Sequence, residues 1–181
     1  MTLSDFIRRY RITADSSGMA TIEFALATTI LMLGLLNGLE LARFSHQKME
    51  LKQAVHSAVH AAWNACDTRR LPAKTNCPGL TTAISNGLQS TSLGTSVSLS
   101  ANYPAEAYYC LNSSGALRKV AEYNETKPAD CTAVVSGDTR KPADYLTVQA
   151  TYTYTPMFGA KLTFGNLMAT TLTSTSLIRL Q

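Results

Sequence analysis

Charge is what this sequence withholds first: from Phe24 to Leu39 there is no Asp, Glu, Lys or Arg. A stretch of that kind is foreign to the surface of a water-soluble domain and belongs in a core or a bilayer. Nor is there a concentrated basic patch. Sixteen Lys and Arg against twelve Asp and Glu leave a net charge of +4, and beyond Lys52 the cations are dispersed, so no nucleic-acid footprint is present. Cysteine is sparse, with Cys66, Cys77, Cys110 and Cys131 the full set. None forms a Cys-x-x-Cys pair, which weighs against a zinc ribbon or a thioredoxin-type redox site. A Gly-rich phosphate loop, a GxSxG elbow and metal-ligand spacing are missing too. No catalytic residue, no metal and no cofactor is expected. His56 and His60 stand four apart on one helical face. They lack the second-position glutamate of a zinc-binding helix and any evident third ligand, so a solvated face is the expectation.

What is there begins with a segment that is not fold. Residues 1–18, MTLSDFIRRYRITADSSG, carry Arg8, Arg9 and Arg11 and then small polar residues ending at Gly18. This reads as the positive region of a targeting segment. The apolar run MATIEFALATTILMLGLLNGLELARF follows. A helix over residues 20–43 is about 35 Å long at ~1.5 Å per residue, enough to cross the hydrocarbon core. It exceeds the apolar region of a secretory signal, and no small-x-small cleavage site follows it.

The positive-inside rule nearly ties, with Arg8, Arg9 and Arg11 on one side against Arg43, Lys48 and Lys52 on the other. The cysteines decide. Four of them, all beyond the apolar run, suggest two disulfides in an oxidising compartment. That places the C-terminal part outside the cytoplasm. Three pairings are possible. The sequential one, Cys66–Cys77 and Cys110–Cys131, closes two short polar loops and is preferred. Each bridge is worth about 3 kcal/mol in the loop-entropy picture, a large share for so small a domain.

Glu23 is the anomaly of the apolar run, because a carboxylate costs roughly 2.5–3.5 kcal/mol at mid-membrane and less near the interface. Its surroundings are Ser17-Gly18-Met19-Ala20-Thr21-Ile22-Glu23-Phe24. A basic leader, a glycine, four uncharged residues, a glutamate, a phenylalanine and then an apolar run resemble the class III signal of type IV pilins. The resemblance implies that a prepilin peptidase cuts between Gly18 and Met19, leaving Glu23 as the fifth residue of the mature chain. Within that group the paired arginines, the ATIEFAL string and the closing glutamate and arginine look like TadE/TadF pseudopilins of the tight-adherence (Flp) pilus system. The likeness covers mainly residues 8–65. The major Flp pilin is much shorter. The physics of the implied arrangement is plain: cleavage creates an α-amine at Met19, and helix bundling buries it. A carboxylate from a neighbouring subunit can then pair with it and set the register.

Gly34 and Gly38 form a GxxxG pattern with Asn37 between them. Such a notch lets a second helix approach and Asn37 hydrogen-bond across, although the pattern also arises by chance in apolar segments. From Leu51 the sequence turns amphipathic, with Leu51, Ala54, Val55, Ala58, Val59, Ala62 and Ala65 at helical spacing. The helix is therefore expected to run unbroken over residues 19–66. Residues 71–95 read as loop with one short helix at 80–88. Val97, Leu99, Ala101 and Tyr103 alternate with polar residues, as do Leu146, Val148, Ala150, Tyr152 and Tyr154, the signature of half-buried antiparallel strands. A weaker strand is expected over 169–180. The segment between Cys110 and Cys131 reads as a polar surface excursion clamped at its base.

These readings converge on an α+β, pilin-like fold: a leader over 1–18, a helix over 19–66 with its span at about 20–43, and a disulfide-bearing sheet domain over 67–181. The resemblance implies a minor pilin assembled into a Tad pilus, supporting adhesion and surface colonisation. Its partners would be other pilins and pseudopilins through the N-terminal helix, the prepilin peptidase and the Tad inner-membrane platform. Its place would be the bacterial inner membrane, single-pass, with passage into an extracellular pilus. Two alternatives stay open: an uncleaved signal-anchored envelope protein with a ligand-binding outer domain, and a type II secretion pseudopilin. The Phe after the glycine that is usual in the latter is replaced here by Met19.

Overall fold

The computed structural model describes residues 16–66, 71–158 and 170–181; leader residues 1–15 lie outside that range. Helix α1 (Ser16–Ala65) is continuous, starting three residues before the expected boundary at Met19 and ending one before Cys66. The chain divides into two compact units, Met1–Ala42 with Pro156–Asn166 and Arg43–Thr155 with Leu167–Gln181. The second holds α2 (Ala73–Asn76), α3 (Leu80–Leu88), a 3-10 turn (Gly94–Ser96) and strands β1 (Val97–Leu99), β2 (Ala105–Leu111), β3 (Leu117–Glu122), β4 (Ala143–Thr153) and β5 (Thr171–Arg179). The result is an α+β fold with one five-stranded antiparallel sheet.

β4 is the axis of the sheet. β5 pairs along its whole length on one edge, from Tyr145↔Arg179 to Thr153↔Thr171. On the other edge β2 pairs with its first half and β1 with its second; β3 lies beyond β2. The period-2 pattern decides the faces: Leu146, Val148 and Ala150 are fully buried while the odd-numbered neighbours are half-buried. The strand expected over 97–103 stops at Leu99. Asn102 adopts φ +68° and Pro104 offers no N–H, so the ladder breaks and resumes as β2. The expected excursion between the second cysteine pair is corrected as well, since it contains β3. Asn112 Oδ1 accepts from Ser114 N (3.0 Å) and Ala116 N (2.8 Å), and Gly115 takes φ +79°. Asn-Ser-Ser-Gly thus makes a hairpin turn rather than a loose loop.

The core forms where the α1 stripe meets the sheet and α3. Leu51, Val55, Ala58, Val59 and Ala62 share it with Ile84, Leu88, Leu146, Val148 and Leu172. Each large apolar side chain buried there contributes about 1.5–3 kcal/mol relative to exposure. Ala65, expected on the stripe, is exposed, because the helix ends there. Phe44 meets Tyr154 edge-on at 5.2 Å between ring centroids. The close approach of α3 to α1 explains the small residues. A Cβ built on Gly87 would stand 2.5 Å from Ala58 Cα and 2.8 Å from Ala58 N, so backbone meets backbone at that point. The disulfides join Cys66 to Cys77 and Cys110 to Cys131.

Two carboxyl groups lie inside this domain. Glu106 and Asp144 are 1% and 2% exposed, on the neighbouring strands β2 and β4 two register positions apart, on the same face of the sheet. Glu106 Oε1 accepts from Ala73 N and Oε2 from Lys74 N, each at 2.7 Å, which ties α2 to the sheet. Asp144 Oδ1 is buried without a hydrogen-bond partner among the described residues. Burial first, then the charge of Glu106 and a hydrogen bond to it, push Asp144 up to about 7, against the opposing pull of Lys127. Nearby, burial and then the same two acids raise Tyr108, whose ring lies 5.1 Å from Lys127 Nζ. Below neutrality Asp144 keeps its proton and donates it to Glu106.

Gly87→Ala is expected to lower stability by about 1–3 kcal/mol, the usual range for overpacking, read by urea unfolding of the full chain in detergent. The acid pair makes a pH prediction of definite sign. A carboxyl whose folded pKa exceeds its ordinary 3.8 stabilises the fold fully below 3.8, and that stability drains away as pH rises through about 7. Tm should therefore fall from pH 5 to pH 8. Asp144→Asn, which donates to Glu106 at every pH, should flatten that slope; an unchanged slope would remove Asp144 as its source.

Candidate functional site

The candidate site is the first part of α1, and what marks it is the placement of its side chains. Met19, Ile22, Phe24, Leu26, Ile30 and Leu31 are each more than 60% exposed, and with Met32, Leu35 and Leu39, each more than half exposed, they surround the helix. A helix that is apolar all round needs a non-aqueous surrounding or other helices. Among the described residues this is the one helix long and apolar enough to cross a membrane, Gly18–Ala65. It persists because from Gly18 to Ala65 no proline interrupts it, and Leu, Met and Ala are strong helix formers.

Gly18 and Met19 lie in the opening turns of α1, with Met19 69% exposed. Glu23 follows one turn on, beside Phe24 at 73%. The side chain of Glu23 is exposed, on the same helix as the Met19 backbone whose freed amine it was expected to meet in another subunit. Gly34 and Gly38 share a face, and a Cβ at either would touch nothing within 4 Å. Asn37 Nδ2 donates to Leu33 O at 2.7 Å, so in the single chain this amide serves its own helix. Thr29 Oγ1 does the same toward Ala25 O at 2.8 Å. These local bonds let polar side chains sit in an apolar setting with their donors satisfied. The structure thus brings Gly18, Met19, Glu23 and Phe24 together in one stretch and Gly34, Asn37 and Gly38 in another. The four cysteines stand apart from both, in the sheet domain.

Sequence reasoning missed Glu40. It used this residue to mark the end of the uncharged run and as the closing glutamate of the family resemblance, yet Glu40 is 1% exposed, and its carboxylate accepts from Met157 N at 3.2 and 3.3 Å. An acid adjoining a long apolar run was the available signal. Its partner, a backbone N–H more than a hundred residues away, was not available. The histidine pair lies elsewhere, on the exposed outer side of α1. The rings of His56 and His60 stack at 6.3 Å, and among the described residues no cluster of three metal-ligating side chains occurs.

No curated protein and no solved structure matches the chain. Residues 18–60 match a family model described as TadE-like protein. The match begins at the glycine of the expected cleavage site, covers the apolar run and most of the amphipathic stripe, and stops before the first cysteine. Residues 18–60 of the long helix are therefore similar to a TadE-like domain, consistent with a TadE-like pseudopilin of Tad pilus systems.

Proposed function

We propose that this chain is a minor pilin that enters a Tad pilus by bundling its N-terminal helix with those of other pilin-like subunits. The observation that carries the reading is the all-round exposure of apolar side chains on the helix that also holds Gly18, Met19 and Glu23 in the TadE-like segment. A prepilin peptidase removes residues 1–18 and frees the α-amine of Met19. The helix waits in the inner membrane through its apolar run. The sheet domain is held outside the cytoplasm, where its two disulfides persist. On assembly, the carboxylate of Glu23 finds the amine of a neighbour, a pairing that arrives only with the partner and fixes the axial register. The Gly34–Gly38 notch gives that neighbour a place of close approach. The role is structural, with no chemistry asked of the outer domain.

Intact-mass spectrometry of the protein from native membranes tests the processing step. A chain beginning at Met19 is expected, and Gly18→Leu should leave it beginning at Met1. A wild-type chain still beginning at Met1 would replace the pilin reading with that of an uncleaved membrane anchor. Glu23→Gln separates register from folding: the variant should be processed and inserted normally but lost from sheared pili. Equal incorporation would remove the register role.

A further inference from the structure

The Glu40–Met157 pairing has a location as well as a geometry. Along α1, the rise from Ala20 to Glu40 is about 30 Å at ~1.5 Å per residue, the thickness of a bilayer's hydrocarbon core. Glu40 therefore stands where the helix leaves the hydrocarbon. A carboxylate there is less costly than at mid-membrane, and this one is further matched by the Met157 N–H at 3.2 and 3.3 Å. Both residues belong to the same compact unit, so the bond fixes Met157 at the same depth. Met157 is nonetheless 64% exposed, and Leu39 and Leu41, which flank Glu40, are 54% and 56% exposed. Phe158 follows Met157 and is half-buried. Apolar side chains from two distant parts of the sequence thus occupy one level, and that level is the headgroup–acyl boundary.

We propose that Pro156–Phe158 is a second membrane contact, a lipid-facing interfacial patch held at its depth by Glu40. The occupant is the lipid surface. Depth argues for it over a protein partner: the patch is registered to the end of the span, where a bilayer is the surrounding of the unassembled chain. Glu40 is the positioning residue and Met157 the contact. The inference rests on α1 being a membrane span, and the test below separates the two.

The chain has a single tryptophan, Trp63. In a Trp63→Phe background, three single-tryptophan chains are reconstituted at full length in phospholipid vesicles: Leu31→Trp in the apolar run, Met157→Trp in the patch, and Ser113→Trp at the exposed hairpin turn of the sheet domain. Lipids brominated on their acyl chains then quench whatever they touch. Loss of emission at 31 and 157, with 113 unaffected, is the expected result. Quenching at 31 with 157 as bright as 113 would overturn the proposal and leave the span standing; a protein neighbour covering Met157 would give this same outcome. No quenching at 31 or 157 would overturn the span reading and the patch with it. Glu40→Ala added to Met157→Trp should restore emission at 157, while Leu31→Trp with the same change stays quenched. Undiminished quenching at 157 would deny Glu40 its positioning role.

Discussion

Backbone-to-backbone contact between α1 and α3 is the constraint on which the outer domain depends. Gly87 can approach Ala58 as closely as it does only because neither carries a large side chain, and the alanines at 54, 58 and 62 keep that side of α1 low. With α3 seated, Ile84 and Leu88 reach the stripe from one side while Leu146, Val148 and Leu172 reach it from the sheet. A domain with so little apolar volume fills its interior by bringing backbones together, since close packing is what makes dispersion forces add up. The stripe of α1 from Leu51 to Ala62 is thus not an appendage to the sheet domain but part of its core.

Three carboxyl side chains are buried among the described residues: Glu40, Glu106 and Asp144. Each meets the cost of burial differently. Glu40 accepts from a distant backbone N–H, Glu106 accepts from two adjacent ones, and Asp144 is held toward its protonated form. Peptide N–H groups are fixed in place by the fold, so they match a carboxylate without immobilising a long side chain. Acids matched in this way position segments: Glu106 holds α2 against β2, and Glu40 holds Met157.

Much of this architecture was legible in the sequence. The α+β class, the long helix, the short helix at 80–88 and the period-2 faces of β4 follow from patterns of apolar residues, because burial has one period on a helix and another on a strand. The illegible parts share a cause. β3 was hidden because Leu117–Glu122 alternates weakly and holds three charges, and only the Asn-Ser-Ser-Gly turn betrays it. β1 ended early at Asn102, whose φ of +68° asparagine tolerates better than most residues, but the apolar alternation that continues to Tyr103 masked that turn. Glu106 and Asp144 look like surface acids because their partners are backbone groups brought in from elsewhere. At the site, Gly18, Met19, Glu23 and Phe24 are singled out by a local string that resembles a pilin signal, whereas the contact of Glu40 lies outside any local window.

The bridge from Cys66 to Cys77 sits one residue past the end of α1 and one past the end of α2. In the proposed filament, tension applied along the helix leaves through whatever is fastened to it. Beyond the packed stripe of residues 51–62, the fastening at the helix end is covalent. Load passing Ala65 crosses the sulfurs into α2 and is handed by the Ala73 and Lys74 amides to Glu106 on β2, next to the central strand. The pull is then shared in shear across the antiparallel ladders, where many hydrogen bonds resist together, rather than being peeled from one edge.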